Sequence, residues 1–594
     1  MSRKILVFFY RHSFLSAFFI ILIITIPSFL SLINNSYFSM HDDQHIARLF
    51  LLDKGIHQGY VYPRWVNWLG FGYGYPLFNF YPPLVYYVAE IFHLVGFSFI
   101  WSIKLTFIAG FILGAWGVYI FTRKRFGYLA GFVASTLYTF FFYHAVLIYV
   151  RGALAEFFAM AILPFVFFTI SNLAENQDFK NSIYFALSFG LLILTHPLIS
   201  FPALFYIFLF SVFYSITLVK DKKQFFKYSV LGMTLGLGLS AFFWLPSMVE
   251  RKYTLVDTIL TKELANYKIH FIYPQQFLYS LWGYGGSIAG PYDGLTFQLG
   301  KVHLFLILAA LVLSLTFLFK KKFQEQIANF YFFLFLLIFS LFMTTSYSSF
   351  VWNRISYLWY LQFPWRFLTF AAIFISIGGA FFVFFSANLF KGKTIRIANF
   401  LITIVIIIST IGIYQKYFKP QYLINKTDTQ LTSFDEIAWH ISRTSFEFMP
   451  KGIATIKSET NTTIPDITKD KIVRENFSLI SGSAEISTIG DKMEEKIWTI
   501  SSDQSVLFRF NNFNFPGWKA YLDGRQTIIN DNNKFKLITV FVPRGQHNLR
   551  IVFEDTPIRK IGDIISVLSV IFVLALLQKL KNKQASHYNS RSLI

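Results

Sequence analysis

The sequence contains no cysteine. That excludes disulfides and every zinc or redox site built on thiolates. Charge is also scarce, at 14% of residues, where a soluble domain carries about a quarter. Acidic residues are the rarer kind, 31 against 53 lysines and arginines. A phosphate-binding glycine loop is missing too. Gly70, Gly72 and Gly74 in LGFGYGYP follow no strand and open no clear helix, so they give no nucleotide site. What fills the chain instead is apolar: 55% hydrophobic residues, 20% aromatics and 76 phenylalanines. This composition defines a polytopic α-helical membrane protein.

The apolar runs predict the spans. They lie at 13–33, 100–121, 128–148, 153–171, 182–195, 198–219, 228–249, 302–319, 329–346, 366–389, 397–416 and 561–578, about twelve in all. Arg3, Lys4 and Arg11 precede the first, which places the N-terminus in the cytoplasm and reads as a retained anchor. Alternation then puts RKR (123–125), KDKK (220–223), KKK (320–322), KGK (391–393) and KLKNK (579–583) on the same side. The net charge of +22 is therefore cytoplasmic anchoring at a plasma membrane, not a nucleic-acid surface. The 83–96 run is short and carries Glu90 and His93. It reads as a helix lying on the outer surface.

Four segments then face outward: 34–99, 250–301, 347–365 and 417–560. The last is polar and alternates as strands do, in SVLFRFNNF (505–513), KLITVFVP (536–543) and HNLRIVFED (547–555). Turn residues such as Asp523-Gly524 punctuate it. The expected organisation is a membrane domain over 1–416, an extracytoplasmic β-sandwich over 417–560, and a last helix with a cytoplasmic tail over 561–594.

The stretch HDDQHIAR (41–48) opens the 34–99 loop. Adjacent carboxylates repel each other and cost desolvation near a bilayer. Asp42 or Asp43 can cap a helix starting at Gln44. The flanking His41 and His45, Arg48 one turn on, and the Trp, Tyr, Gly and Pro residues that follow favour a functional site. Arg64 and Trp65 belong to that set. Arg151 in YVRGALAE, with Glu156 beyond it, sits at the outer end of a span, where an ion pair between them is the structural alternative. Arg366 opens a span after FPW, and His196 occupies an outer turn. Trp282 and Tyr284 can line a cleft in the 250–301 loop.

The order of features resembles the GT-C superfamily of integral-membrane glycosyltransferases. It runs from a basic N-terminus and one span to an outer loop opening with an acidic pair. The surface helix and second span PPLVYYVAEIFHLVG…TRKRFG (82–127) follow. A nearer resemblance is to bacterial YfhO-like and pyruvoyl-tetrahydropterin synthase-related membrane proteins. It rests on HDD (41–43), PRW (63–65), GYGYPLFNFYPPL (72–84), YVRGALAE (149–156), FPWRF (363–367) and PGWKAYLDG (516–524). The synthase label has no counterpart here, because no histidine zinc constellation stands out.

The GT-C resemblance implies sugar transfer from a polyprenyl-phosphate donor to an outer acceptor: an envelope glycan, a glycolipid or a protein. Such chemistry needs a base for the acceptor hydroxyl and arginines for the phosphate. Asp42 and Asp43 are the expected catalytic pair. His41, His45, Arg64, Trp65, Arg151, His196 and Arg366 are the expected substrate contacts. Asp42 and Asp43 can alternatively hold Mg2+ or Mn2+, as hard oxygen ligands do. The resemblance itself requires no cofactor. A flippase for lipid-linked saccharides and a non-catalytic glycan-binding scaffold are the rival expectations. Cleanly apolar spans disfavour the flippase.

Overall fold

The computed structural model describes residues 13–591 apart from 262, 390, 391 and 460. Arg3, Lys4 and Arg11, which carried the N-terminal charge argument, lie outside the described residues. Among the described residues, eight helices are long and apolar enough to cross a membrane, and up to ten if each bent pair is one span. The 128–148 run forms Tyr128–Thr139 and Phe142–Val150, bent by 43°. The 228–249 run lies in a pair bent by 70° between Lys222–Leu239 and Ala241–Tyr253. Two of the twelve expected spans are shorter helices, Phe179–Thr195 and Lys301–Leu315. At a rise of about 1.5 Å per residue they fall short of the full hydrocarbon core.

Local chemistry sets these boundaries. The 182–219 stretch splits at His196, whose extended backbone (φ −161°, ψ 92°) precedes Pro197. A residue before proline is pushed out of the helical region, and proline suits a helix's first position. His196 also caps the Pro197–Thr217 helix, its Nδ1 accepting the Ile199 N–H at 3.1 Å. Ser98 caps the 28-residue Phe99–Phe126 helix by accepting the Trp101 N–H.

The two ends of the bundle differ. At one end, Arg125 meets Glu175 (3.2 Å) and Glu325 (3.4 Å). At the other, the 34–99, 250–301, 347–365 and 417–560 segments pack together. Tyr37–Phe38 pairs antiparallel with Leu423–Ile424. Thr254 bridges to Pro450, and Ile272 to Thr345.

The β region is a sandwich. One sheet orders Leu537–Val542, Val506–Phe513 and Phe477–Ser481. The other orders Arg525–Thr527, Trp518–Leu522, Gly545–Phe553, Glu495–Ser502 and Glu485–Asp491. Their inner faces meet through aromatic rings, with Trp498 at 4.9 Å from Phe508 and Phe510 at 5.6 Å from Trp518. Residues 423–465 hold only short strands and helical turns outside these sheets.

The sandwich is tied down at two points. The Val66–Trp68 and Gly72–Tyr75 hairpin presents Trp65, whose indole donates to Asn512 and packs 5.3 Å from Trp518. The final helix, Pro557–Arg591, buries Arg559 against Glu250 at 2.9 Å and the Pro516 carbonyl at 2.8 Å. Nothing in the sequence pattern marked Arg559.

Candidate functional site

A cavity of about 570 Å³ opens between the bundle and the 34–99 and 417–476 segments. Its lining includes Asp42, Arg48, Arg151, Glu156, His196 and Arg366. Arg251, Tyr360, Gln362, Thr444 and Glu447 also face it.

One wall is cationic. Arg151 Nη1 and Arg366 Nε both reach Glu156 Oε2, at 2.7 and 3.1 Å. The Tyr143 hydroxyl donates to Glu156 Oε1. Two buried arginines thus share one buried carboxylate, leaving one net positive charge. Local backbone builds this wall. A π-helical stretch, Val146–Val150, delivers Arg151, and Glu156 lies in the first turn of Leu154–Glu175. Gln362 holds φ +63°, a conformation disfavoured for a side-chain-bearing residue. The turn it makes brings the Leu361 carbonyl to Arg366 Nη1 at 2.8 Å. The Arg151 guanidinium lies 4.7 Å over the Trp365 ring. The expected Arg151–Glu156 pair is present, and Arg366 shares it.

His196 completes this wall. Burial, reinforced by Arg366 and Arg151, pushes its pKa down to about 3. The ring is therefore neutral, and the Nδ1 lone pair is taken by the Ile199 N–H. Its proton sits on Nε2, so the ring offers a donor.

Asp42, Arg48 and Glu447 line the same cavity. Among the described residues no side chain bonds the Asp42 carboxylate. Its backbone N–H donates to the Arg151 carbonyl at 2.8 Å, which holds Asp42 beside the cationic wall. Arg48 donates to Ser445 Oγ at 2.9 Å and lies 4.0 Å over the Tyr81 ring.

The structure divides the acidic pair. Asp42 lines the cavity, whereas Asp43 accepts the Thr444 hydroxyl at 3.3 Å and does not line it. Burial raises the Asp43 pKa. Neither aspartate caps the helix. It runs His45–His57 with Gln44 at the cap position and no side-chain cap bond. Among the described residues no three His, Asp or Glu are grouped to hold a metal ion.

Other expected contacts fall elsewhere. His45 is fully buried, its Nδ1 accepting the Tyr86 hydroxyl at 3.0 Å and its Nε2–H donating to the Gly152 carbonyl. Burial pushes its pKa down to about 4. His41 is exposed and donates to the Tyr284 carbonyl at 2.9 Å. Arg64 meets Asp563 at 2.8 Å and Asp555 at 3.3 Å, away from the cavity. Trp65 packs against the sandwich, and Trp282 packs 5.1 Å from Tyr417. None of His41, His45, Arg64, Trp65, Trp282 and Tyr284 lines the cavity. Glu447 and Arg251 do line it, and sequence reasoning missed both. No motif surrounds Glu447 in SRTSFEFMP; only its place in the packed fold marks it.

Fold and site define an integral membrane protein whose charged cavity lies between a helical bundle and the outer segments ahead of its β-sandwich. A family model described as the 6-pyruvoyl-tetrahydropterin synthase related domain, a membrane protein, matches residues 78–418, more than half of the chain. The chain belongs to that family. No curated protein matches it. Among solved structures it is similar to the Archaeoglobus fulgidus oligosaccharyltransferase in its apo form, at 15% identity and TM-score 0.44, over 69% of this chain and 56% of that one. It is similar to the arabinofuranosyltransferase AftD from Mycobacteria at 11% identity and TM-score 0.44, over 71% and 27%. It is also similar to ArnT from Cupriavidus metallidurans, solved bound to undecaprenyl phosphate, at 10% identity and TM-score 0.36, over 72% and 77%. The chain thus spans 56% of the archaeal protein and 27% of the mycobacterial one.

Proposed function

We infer that the chain is a membrane glycosyltransferase that uses a polyprenyl-phosphate-linked sugar as donor. The observation that carries this is the pairing, in one cavity, of a net-cationic wall with the unpartnered Asp42 carboxylate. The arginine wall suits a phosphate, with Arg151 and Arg366 supplying N–H donors and neutral His196 a further one. Apolar Leu198, Phe201 and Met248 line the same cavity and suit a hydrocarbon chain leaving toward the bilayer.

Asp42 acts as base. The acceptor oxygen attacks the anomeric carbon, and the bond from that carbon to the phosphate oxygen breaks. The proton passes to Asp42, and the lipid phosphate leaves as an anion on the arginine wall. A single displacement inverts the anomeric centre. The cavity end of the molecule faces outward across a plasma membrane, with the basic connections in the cytoplasm. The acceptor is an envelope glycan, glycolipid or protein.

The test is donor turnover by purified protein in lipid, using a pool of polyprenyl-phosphate hexoses. Asp42→Asn should lower kcat by at least about 100-fold, the scale of lost acid–base catalysis. Asp43→Asn should leave most activity, and chelator should change nothing. Full turnover by Asp42→Asn would remove the base. No donor consumption by wild type would sink the glycosyltransferase reading and favour a flippase or scaffold.

A further inference from the structure

A base alone does not orient an acceptor; a second polar contact must fix the attacking hydroxyl. Sequence adjacency made Asp43 the natural partner of Asp42, but Asp43 is bonded to Thr444 and does not line the cavity. Another carboxylate does. Glu447 comes from the segment ahead of the β-sandwich and lines the same cavity as Asp42 and Arg48.

Among the described residues no side chain hydrogen-bonds the Glu447 carboxylate, which takes backbone N–H contacts from Phe446 and its own residue. Arg48 Nη2 stands 3.7 Å away, beyond hydrogen-bond range, while donating to Ser445 and lying over Tyr81. Such a pair leaves acceptor capacity on the carboxylate. The surroundings suit a sugar ring: Tyr81, Phe446 and Phe448 line the cavity beside it.

We propose that Glu447 is the second carboxylate of the site and that it binds a hydroxyl of a saccharide acceptor next to the one that attacks. This rests on the glycosyltransferase reading above. Two carboxylates engage two hydroxyls of one polyol. Asp42 takes the proton of the attacking oxygen, and Glu447 accepts a hydrogen bond from its neighbour without changing protonation. A lone serine or threonine hydroxyl has no such neighbour, so the acceptor class is a sugar and not a protein side chain.

The groups facing Glu447 are Arg48, Asp42, Tyr75 and Tyr81. Burial raises its pKa, Asp42 acts in the same direction and Arg48 opposes. Protonation at low pH removes the charge and leaves a weaker acceptor, so saccharide KM should rise on the acid side.

The experiment uses full-length protein in lipid at saturating donor. The probes are methyl hexosides and neutral trisaccharides, with a serine peptide as comparison. Glu447→Gln should raise saccharide KM about tenfold or more, the scale of one hydrogen bond to a charged group. Donor KM should stay within about twofold, and the acid-side rise in KM should disappear. Glu447→Asp should recover part of the loss, and Asp43→Asn should resemble wild type. If Glu447→Gln melts early, the Glu447→Asp shift alone decides, because a shortened carboxylate must still raise saccharide KM. Unchanged saccharide KM, or transfer to the peptide alone, overturns the inference and leaves the glycosyltransferase reading standing. Absence of wild-type donor consumption overturns both.

Discussion

Arg151 and Arg366 come from opposite halves of the chain, yet both contact the same atom, Glu156 Oε2. One buried anion holds two buried cations in place. Each guanidinium keeps further donors, and the cluster keeps one positive charge beyond what Glu156 neutralises. The cationic wall is a product of this sharing.

Glu156→Gln should therefore destabilise the fold strongly. It leaves two buried arginines without a counter-charge, a loss of about 3–5 kcal/mol. Tyr143→Phe removes only one hydrogen bond to the same carboxylate and should cost about 1 kcal/mol. Melting temperatures of the two variants in the same lipid mixture check the order. Equal, small shifts would show that the cluster contributes little to stability.

His196 should set no pH limb near neutrality. Its pKa is held at about 3 by burial and by the adjacent arginines, so it stays uncharged from pH 5 to 8. His196→Phe should weaken donor binding by removing the Nε2–H while leaving the shape of the pH–rate profile unchanged. A profile that flattens in the variant would assign that titration to His196.

Glu90 should make stability fall as pH rises. It is buried on the Leu84–Leu94 helix, beside the Asp53 carboxyl. Burial and the nearby Asp53 push its pKa up to about 7 from 4.5. Between these values the folded state binds more protons than the unfolded state, so unfolding free energy declines with pH. The penalty is complete above about pH 7. Glu90→Gln abolishes it, and its melting temperature should vary less between pH 5 and 8 than that of wild type. Parallel curves for the two proteins would contradict this.

Gly74→Ala should loosen the sandwich from the bundle. Gly74 holds φ +71°, and an added Cβ would meet Trp65 Nε1 at 2.5 Å and the Val66 carbonyl at 2.8 Å. The strain is about 1–2 kcal/mol from backbone conformation alone, with displacement of Trp65 added. Limited proteolysis should release fragments of the 477–553 region faster than in wild type. Unchanged cleavage would show that Trp65 does not anchor the sandwich.

Much of the architecture was legible because hydrophobic burial writes itself as local pattern. Long apolar runs gave most of the spans, and alternating residues gave the strands of the 505–513 and 547–555 segments. His196-Pro197 marked a helix boundary because proline's steric restriction acts on its immediate neighbour. The two shorter helices were over-read as full spans: apolar content alone does not fix how far a helix runs.

The site was only half legible, for the same reason. Asp42, Arg151, His196 and Arg366 stood out at span ends or beside a paired charge, and the fold brings all four to one cavity. Trp65 and Arg64 looked the same by sequence, but they meet Asn512 and Asp563 hundreds of residues away. Asp42 and Asp43 were indistinguishable until Thr444 claimed one of them. The sequence by itself determined a many-span membrane protein with a polar β domain before its last helix, because burial and backbone sterics act over a few residues. Tertiary structure alone decided which charges face the cavity and which are neutralised, because ion pairs form between side chains whose distance along the chain carries no signal.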